Sequence, residues 1–336
     1  MSQTRQRPLA KGWPGWILPI GVASWLLVAQ GAVLLPQESR LHTIFTMSPA
    51  LFVLFPPLSL LLWVLVRRRT PAKPLSLALG CSLTLGPGLL AWNIPTQSRS
   101  GEEDAADIRV MTLNVHYDSR RLTAALKLAQ ECQLDLIFLQ ENKGEGELMG
   151  DWLAKELGGW HQVHVGETAI LSRWPMSHPK ARELPVENWR SILSVTVNAP
   201  IPFRAVNCHW TIDRFFEPGD ALVRGAQAQA ANLRATLEEC RGWDIPVVLG
   251  GDFNNTPRNG LTRALSSEMT NCFEAAGWGT GWTFPSRFPM VRIDHLYTSP
   301  GCTPLRAWVG PPVGSDHRPL IAEVQLHPRP GRSGAR

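Results

Sequence analysis

Composition changes abruptly near residue 100, and this division limits what the chain can fold into more than any other feature. Between Trp13 and Trp92 the sequence is mostly apolar, broken by Gly, Pro and Trp, with its charges in short clusters. From Gly101 onward it has the mixed composition of a water-soluble domain. One uniform core for all 336 residues is therefore excluded. The expectation is a domain of about 200 to 250 residues plus a separate apolar region.

The apolar region contains three stretches, residues 16–35, 50–66 and 75–92. A spanning helix needs about 20 apolar residues, which the first stretch satisfies. The second is short and carries Pro56-Pro57, so a kink is expected. The third is interrupted by Gly80, Gly86, Pro87 and Gly88, residues that spanning helices tolerate. Three transmembrane helices are thus expected within residues 1–95. Read alone, the first stretch could be a signal peptide cleaved near Ala29-Gln30-Gly31, but two further apolar stretches follow it directly.

Orientation follows from Lys and Arg in the short loops. Arg5, Arg7 and Lys11 precede the first stretch, and Arg67, Arg68, Arg69 and Lys73 follow the second. Only Arg40 and Arg99 lie on the opposite side. Seven against two puts the N-terminus in the cytoplasm and, after three crossings, the soluble domain outside it. The expected location is a plasma or inner membrane, with the lipid bilayer as partner of the N-terminal helices.

The net charge of +5 belongs to the apolar region, where residues 1–100 hold nine Lys or Arg and one acid. The remainder holds 24 basic and 27 acidic residues, a balance of −3. A tight, non-specific DNA binder is expected to show the opposite excess. None of the six cysteines has CxxC spacing, which argues against a structural zinc site. Five lie in the soluble part, so one or two disulfides are open in an oxidising compartment and at least one thiol is left over.

Within the soluble part, strands are expected at residues 108–114, 136–140, 162–165, 169–172, 191–197, 203–208, 246–250, 293–297, 304–309 and 320–326. Helices are expected at about 122–132 and at 220–239, where Leu222, Ala226, Ala230, Leu233 and Leu237 share one face. Many strands with few helices between them predict packed sheets flanked by helices. The domain boundaries read as 96–106 for a polar linker, 107–326 for the folded domain and 327–336 for a disordered tail.

Polar residues recur where strands are expected to end: Asn114, Glu141, His209, Asp252 with Asn254, Asp294, and Asp316 with His317. Carboxylates suit hard divalent cations, while Asn, His and backbone donors suit phosphate oxygens. No serine or thiol nucleophile motif accompanies them, so the chemistry they suit is metal-assisted attack of water on phosphorus.

Thr112-Leu113-Asn114, Leu139-Gln140-Glu141, Asn207-Cys208-His209, Gly251-Asp252-Phe253-Asn254, Arg292-Ile293-Asp294-His295 and Ser315-Asp316-His317-Arg318-Pro319 resemble, in order, the motifs of the endonuclease/exonuclease/phosphatase superfamily. Ile170-Leu171-Ser172-Arg173 and Thr283-Phe284-Pro285 extend the likeness. The resemblance implies a DNase I-like α/β fold, a four-layer αββα sandwich. It implies Glu141 as principal ligand of Mg²⁺ or Mn²⁺, with Asn114 beside it holding metal or phosphate and Asp316 as a second metal contact. Asp252 would orient and deprotonate the attacking water, with Asn254 positioning water and phosphate. His317, kept cationic by Asp294, would stabilise the transition state, and His209 would donate to a phosphate oxygen or the leaving group.

Other residues read as structural. His42, His116, His161, His164, His178 and His327 suit packed or surface positions, and strand alternation turns His295 away from the cleft. Arg173 and Arg318 suit carboxylate partners. Trp210, next to His209, is the one tryptophan considered for stacking on substrate. The expected activity is phosphodiester hydrolysis on a lipid or small phosphoester in preference to nucleic acid. The alternatives are a metal-dependent nuclease and a catalytically inactive, membrane-tethered binding module on the same fold.

Overall fold

Strands enclosed on both faces should carry unbroken apolar runs rather than alternation, and β2 (Leu136–Gln140) and β4 (Thr168–Ser172) are buried along their whole length. They belong to a computed structural model that describes residues 17–36, 39–48, 90–96, 106–118, 122–143, 149–184, 190–212 and 220–327. In chain order the remaining elements are α1 (Ile17–Val33), α2 (Arg40–Met47), β1 (Ala106–Asn114), α3 (Thr123–Glu131), α4 (Met149–Leu157), β3 (His161–Val165), β5 (Met176–Glu183), β6 (Ser191–Val197), β7 (Phe203–His209), α5 (Ala221–Cys240), β8 (Val247–Asp252), α6 (Gly260–Ser266), β9 (Thr270–Asn271), α7 (Cys272–Ala276), β10 (Asp294–Thr298), β11 (Cys302–Val309) and β12 (Leu320–Leu326).

Two six-stranded mixed sheets result, with orders β11-β12-β1-β2-β4-β3 and β5-β6-β7-β8-β10-β9. The parallel pairs, β1 with β2 and β7 with β8, are joined through α3 and α5, the crossover that parallel neighbours require. Phe138, Ile170, Val195, Phe203 and Leu320 pack between the sheets. Leu122, Leu128 and Leu153 belong to a cluster on the outer face of the first sheet, and Trp210, Ala235, Leu261 and Leu265 to one on the second. The expected α/β sandwich is thus observed. Close sheet contact explains Gly250, where a Cβ would lie 2.3 Å from the Phe138 ring.

The expected elements 136–140, 191–197 and 320–326 coincide with β2, β6 and β12. Strand β5 was not expected, because it is polar and carries Pro179. As an edge strand with a register shift between Ser177 and Lys180 it accommodates both. Short α4 was also not expected.

Of the three expected spans, the first contains α1, a helix of 17 residues, and no described helix is long and apolar enough to cross a membrane. The second and third lie outside the described residues, apart from Leu90, Ala91 and Trp92. Helix α2 occupies the expected loop after the first stretch and meets α1 through Trp25 and Phe45, with ring centroids 6.0 Å apart. Asn93 docks on the folded domain, exchanging backbone hydrogen bonds with Gly279 (2.7 and 2.9 Å) while its Nδ2 donates to the carbonyls of Phe273 and Gly277. No disulfide joins the described cysteines, and Cys81 lies outside them.

Candidate active site

Strand register builds the centre of the site. In the second sheet His209 pairs with Asp252 across β7 and β8, and Asp252 pairs with Asp294 across β8 and β10. Three ionisable side chains therefore form one row across neighbouring strand ends. The first sheet brings Asn114 at the end of β1, Glu141 just after β2, and the loop before β12 that carries Asp316 and His317. The sheets are tied together here, since Asn114 Nδ2 donates to Asp252 Oδ2 at 3.0 Å. Beneath that contact, Gln140 Nε2 donates to Asn207 Oδ1 (2.7 Å), and Asn207 Nδ2 donates to the carbonyls of Leu139 and Ala169.

Each histidine is held by its own carboxylate. His317 Nδ1 donates to Asp294 Oδ2 at 2.9 Å, and His209 Nδ1 donates to Glu167 Oε2 at 2.8 Å. An acid partner on Nδ1 sets the ring orientation and leaves Nε2 for other work. Both Nε2 atoms face one oxygen, Asp252 Oδ2, at 3.6 Å from His209 and 3.8 Å from His317. His209 Nε2 also lies 3.9 Å from Glu141 Oε1. Glu167 was not anticipated from the sequence. It sits on the turn between β3 and β4, is buried, and also accepts the backbone N–H of Glu141 at 2.8 Å.

The electrostatics separate the three buried acids and bases. Burial would lower the His317 pKa, but Asp294 and Asp252 outweigh it and raise the ring to about 10, so it is an imidazolium at neutral pH. Burial would raise Asp252, yet the charges of His317 and His209 and the hydrogen bonds from Asn114 and the Asn254 backbone hold it below the usual carboxylate range. Asp294 is pushed upward by burial, against the pull of His317. One cation thus stands between two acids in unlike environments.

Ligand-capable atoms of Asp252, Asp294 and His317 lie within 4.8 Å of one another, a spacing compatible with a metal. A protonated imidazole cannot ligate, so this trio reads better as a proton-holding device. The carboxylate of Glu141 suits a hard cation better. Its side chain is 15% exposed, it faces the same cleft, and it accepts no hydrogen bond from a described residue. With Asp252 and Asn114 it offers the oxygen donors that Mg²⁺ or Mn²⁺ prefers.

Asn254 has φ +49°, its N–H donates to Asp252 Oδ1 (2.8 Å), and its Nδ2 donates to the Trp210 carbonyl (3.0 Å). Asp316 is at the half-exposed rim, with Oδ1 3.8 Å from His116 Nδ1. Its carboxylate is outside the buried trio. Trp210 requires a correction. His209 faces the cleft, so the next side chain faces away: the indole is fully buried, 4.9 Å from the Phe253 ring, with Nε1 donating to Thr236 Oγ1. It cannot stack on substrate.

His295 does point away, donating from Nε2 to the Asn255 carbonyl (2.8 Å), and burial lowers it to about 3. Arg173 pairs with Asp135 at 3.6 Å, as expected of a structural residue. Arg318 Nε instead donates to the Ser286 carbonyl. Tyr117 also escaped the sequence reading. It is 41% exposed, and burial with the charges of Glu141 and Glu167 raises its phenol, against Arg190. Arg190 is buried, and its Nη1 donates to the Trp210 carbonyl.

Residues 111–317 match the sequence model of the Endonuclease/Exonuclease/phosphatase family. The chain is 26% identical over 257 residues to the uncharacterized protein YbhP of Escherichia coli (strain K12), an alignment covering 65% of this chain and 96% of that protein. Among solved structures it resembles an endonuclease/exonuclease/phosphatase from Beutenbergia cavernae, with TM-score 0.53 and 20% identity over 66% of this chain and 72% of that one. The Bacteroides thetaiotaomicron mannosyl-6-phosphatase Bt3783 is similar at TM-score 0.53 and 17% identity, over 65% of this chain and 99% of that one. These structural likenesses establish the fold.

Proposed function

This chain belongs to the endonuclease/exonuclease/phosphatase family, and from that premise we propose that it is a Mg²⁺- or Mn²⁺-dependent phosphoesterase acting outside the cytoplasm. The observation that carries the reading is the convergence of His209 Nε2 and His317 Nε2 on Asp252 Oδ2, with Glu141 beside them. Glu141 would hold the cation, with Asn114 and Asp252 as neighbours, and the bound cation would polarise a phosphoryl oxygen.

The protein's own groups divide the remaining work. Asp252, held ionised, accepts a proton from the water that attacks phosphorus. His317, held protonated by Asp294, donates from Nε2 to a phosphate oxygen as negative charge develops there. His209, oriented by Glu167, donates to a phosphate oxygen or the departing group. Asn254 fixes the Asp252 carboxylate through its backbone N–H. The negative balance of the catalytic part favours a lipid or small phosphoester over nucleic acid.

An extracytoplasmic domain on an N-terminal membrane anchor is supported by the seven-to-two Lys and Arg asymmetry. Alkaline phosphatase fused after Gly101 should be active, and a reporter that works only in the cytoplasm should be dark. The reverse pattern contradicts this location.

The test of the activity uses the full chain in detergent with bis(p-nitrophenyl) phosphate. Hydrolysis should require Mg²⁺ or Mn²⁺ and stop in excess EDTA. Full activity in EDTA would overturn the cation's role. No hydrolysis of any phosphoester with either cation would favour an inactive binding module.

A further inference from the structure

Beside the cleft, large apolar side chains are exposed that no described element covers. Trp92, Ile94, Trp278 and Phe288 are 47%, 63%, 67% and 70% exposed. Trp92 and Trp278 meet edge to face at 6.5 Å and border a groove of about 490 Å³, lined also by Trp282, Pro289 and Trp308. Among the described residues no carboxylate lines this groove. Two arginines border it instead: Arg318 lines it and Arg306 lies 4.7 Å over the lining Trp308, while Arg287 lies 5.6 Å over Phe288, the residue before the lining Pro289.

Two placements say what covers this face. The first is continuity, because Trp92 is the last residue of the third apolar stretch, and Asn93 is clamped to Gly279 directly after it. The apolar region therefore reaches the folded domain on this patch. The second is adjacency to the site. Pro289 walls the groove, and within the same loop Phe284 packs on the His317 ring at 4.9 Å while the Ser286 N–H donates to the Asp316 carbonyl. Groove and cleft share one wall.

We infer that the Trp92–Trp278–Phe288 face is a bilayer-docking surface, which seats the cleft against the membrane so that it takes phosphoesters from lipid head groups. Tryptophans favour the membrane–water interface, where the ring is apolar and the N–H stays wet. Arginines stacked on their neighbours reach phosphate head groups while their stems remain on apolar surface. The choice of a lipid substrate rests on the phosphoesterase reading of the site; the docking surface does not.

The test places the full chain in nanodiscs of phosphatidylcholine with phosphatidylglycerol, made with plain or brominated acyl chains. Subtracting the emission of Trp92→Phe and Trp278→Phe variants from that of the parent isolates those two fluorophores. Brominated chains should lower this difference emission about twofold or more. Difference emission insensitive to bromine would overturn the proposal, and that result follows equally if residues 49–89 of the chain or a second copy covers the face.

The substrate arm compares Phe288→Ala with the parent on a phospholipid in vesicles and on soluble bis(p-nitrophenyl) phosphate. Losing the burial of one aromatic ring should slow vesicle hydrolysis about tenfold and leave the soluble reaction unchanged. Equal activity of parent and variant on vesicles, or equal losses on both substrates, would overturn the lipid assignment. Failure of the parent on every phosphoester overturns the reading of the site, while the fluorescence result still decides the docking surface.

Discussion

Opposite ends of strand β7 carry two clusters of buried charge that contrast in how their hydrogen bonds are used. Near its start, Arg204 and Glu239 are enclosed with Ser194 under α5. Both Glu239 oxygens are occupied: Oε1 accepts from Ser194 Oγ (2.6 Å) and Arg204 Nη2 (3.4 Å), and Oε2 accepts from Lys180 Nζ (2.5 Å). The guanidinium is further bonded to the His178 carbonyl and lies 4.3 Å over Trp243. At the far end of β7, His209, Asp252, Asp294 and His317 are just as deeply buried, yet Glu141 beside them accepts no hydrogen bond from a described residue. A buried acid with both oxygens bonded serves the fold, even though Arg204 Nε beside it has no partner. Two buried imidazoles that converge on one oxygen, beside a carboxylate that accepts no hydrogen bond from a described residue, are arranged for something that is not protein.

This contrast fails first if Asp252 is merely structural. Asp252→Asn should lower turnover by about 10²–10⁴-fold, the usual worth of a positioned base. Its melting temperature should stay near the parent's, and a collapse in stability with normal turnover of the folded fraction would reverse the assignment.

Asp294→Asn and His317→Ala should each cost about 10²–10³-fold in kcat, with little change in KM. Residues acting as one unit lose about as much singly as together, so the double variant should be scarcely slower than either single one. Losses that multiply in a double-mutant cycle would separate the pair. A smaller effect, about 10–100-fold, is expected for Glu167→Gln, which leaves His209 in place but weakens its orientation. Normal activity in that variant would make Glu167 a structural residue.

Glu239→Gln sharpens the comparison from the other side. Turnover of the folded enzyme should not change, while stability should fall by about 3–5 kcal/mol because Arg204 is left buried without its acid. Burial raises the Glu239 pKa, but hydrogen bonds from Lys180 and Ser194 and the charges of Lys180 and Arg204 more than offset it, holding the acid below its usual range. A depressed carboxylate stabilises fully above its unfolded value of about 4.3, and the contribution is lost as pH falls through the folded value. The melting temperatures of parent and Glu239→Gln should therefore converge between about pH 5 and pH 3. A constant difference across that range would exclude Glu239 as the cause.

Much of the site was legible because function follows strand ends, and strand ends are marked in this sequence. Asn114 and His209 end their strands, Asp252 closes β8, and Asp294 opens β10. What was missed has particular causes. Glu167 lies on a short turn with no periodic signal, three residues before the Ile170-Leu171-Ser172-Arg173 motif. Tyr117 follows the end of β1 in a turn with φ +52°, which no pattern of apolar residues announces. Trp210 was misjudged for a different reason: the alternation that turns His295 from the cleft applies equally to the residue after His209. Pairings such as Asn114 with Asp252 depend on how the two sheets face each other, a relation that a linear pattern does not carry.

The proposed activity requires Glu141 to be open to a divalent cation, which Glu239, with both oxygens bonded, is not. Calorimetric titration of the full chain with Mn²⁺ tests it without relying on turnover. The parent and Glu239→Gln should bind the ion with equal affinity, and Glu141→Gln should bind it about 10–100-fold more weakly or not at all. Equal binding by the parent and Glu141→Gln, or weakened binding in Glu239→Gln alone, would contradict the assignment.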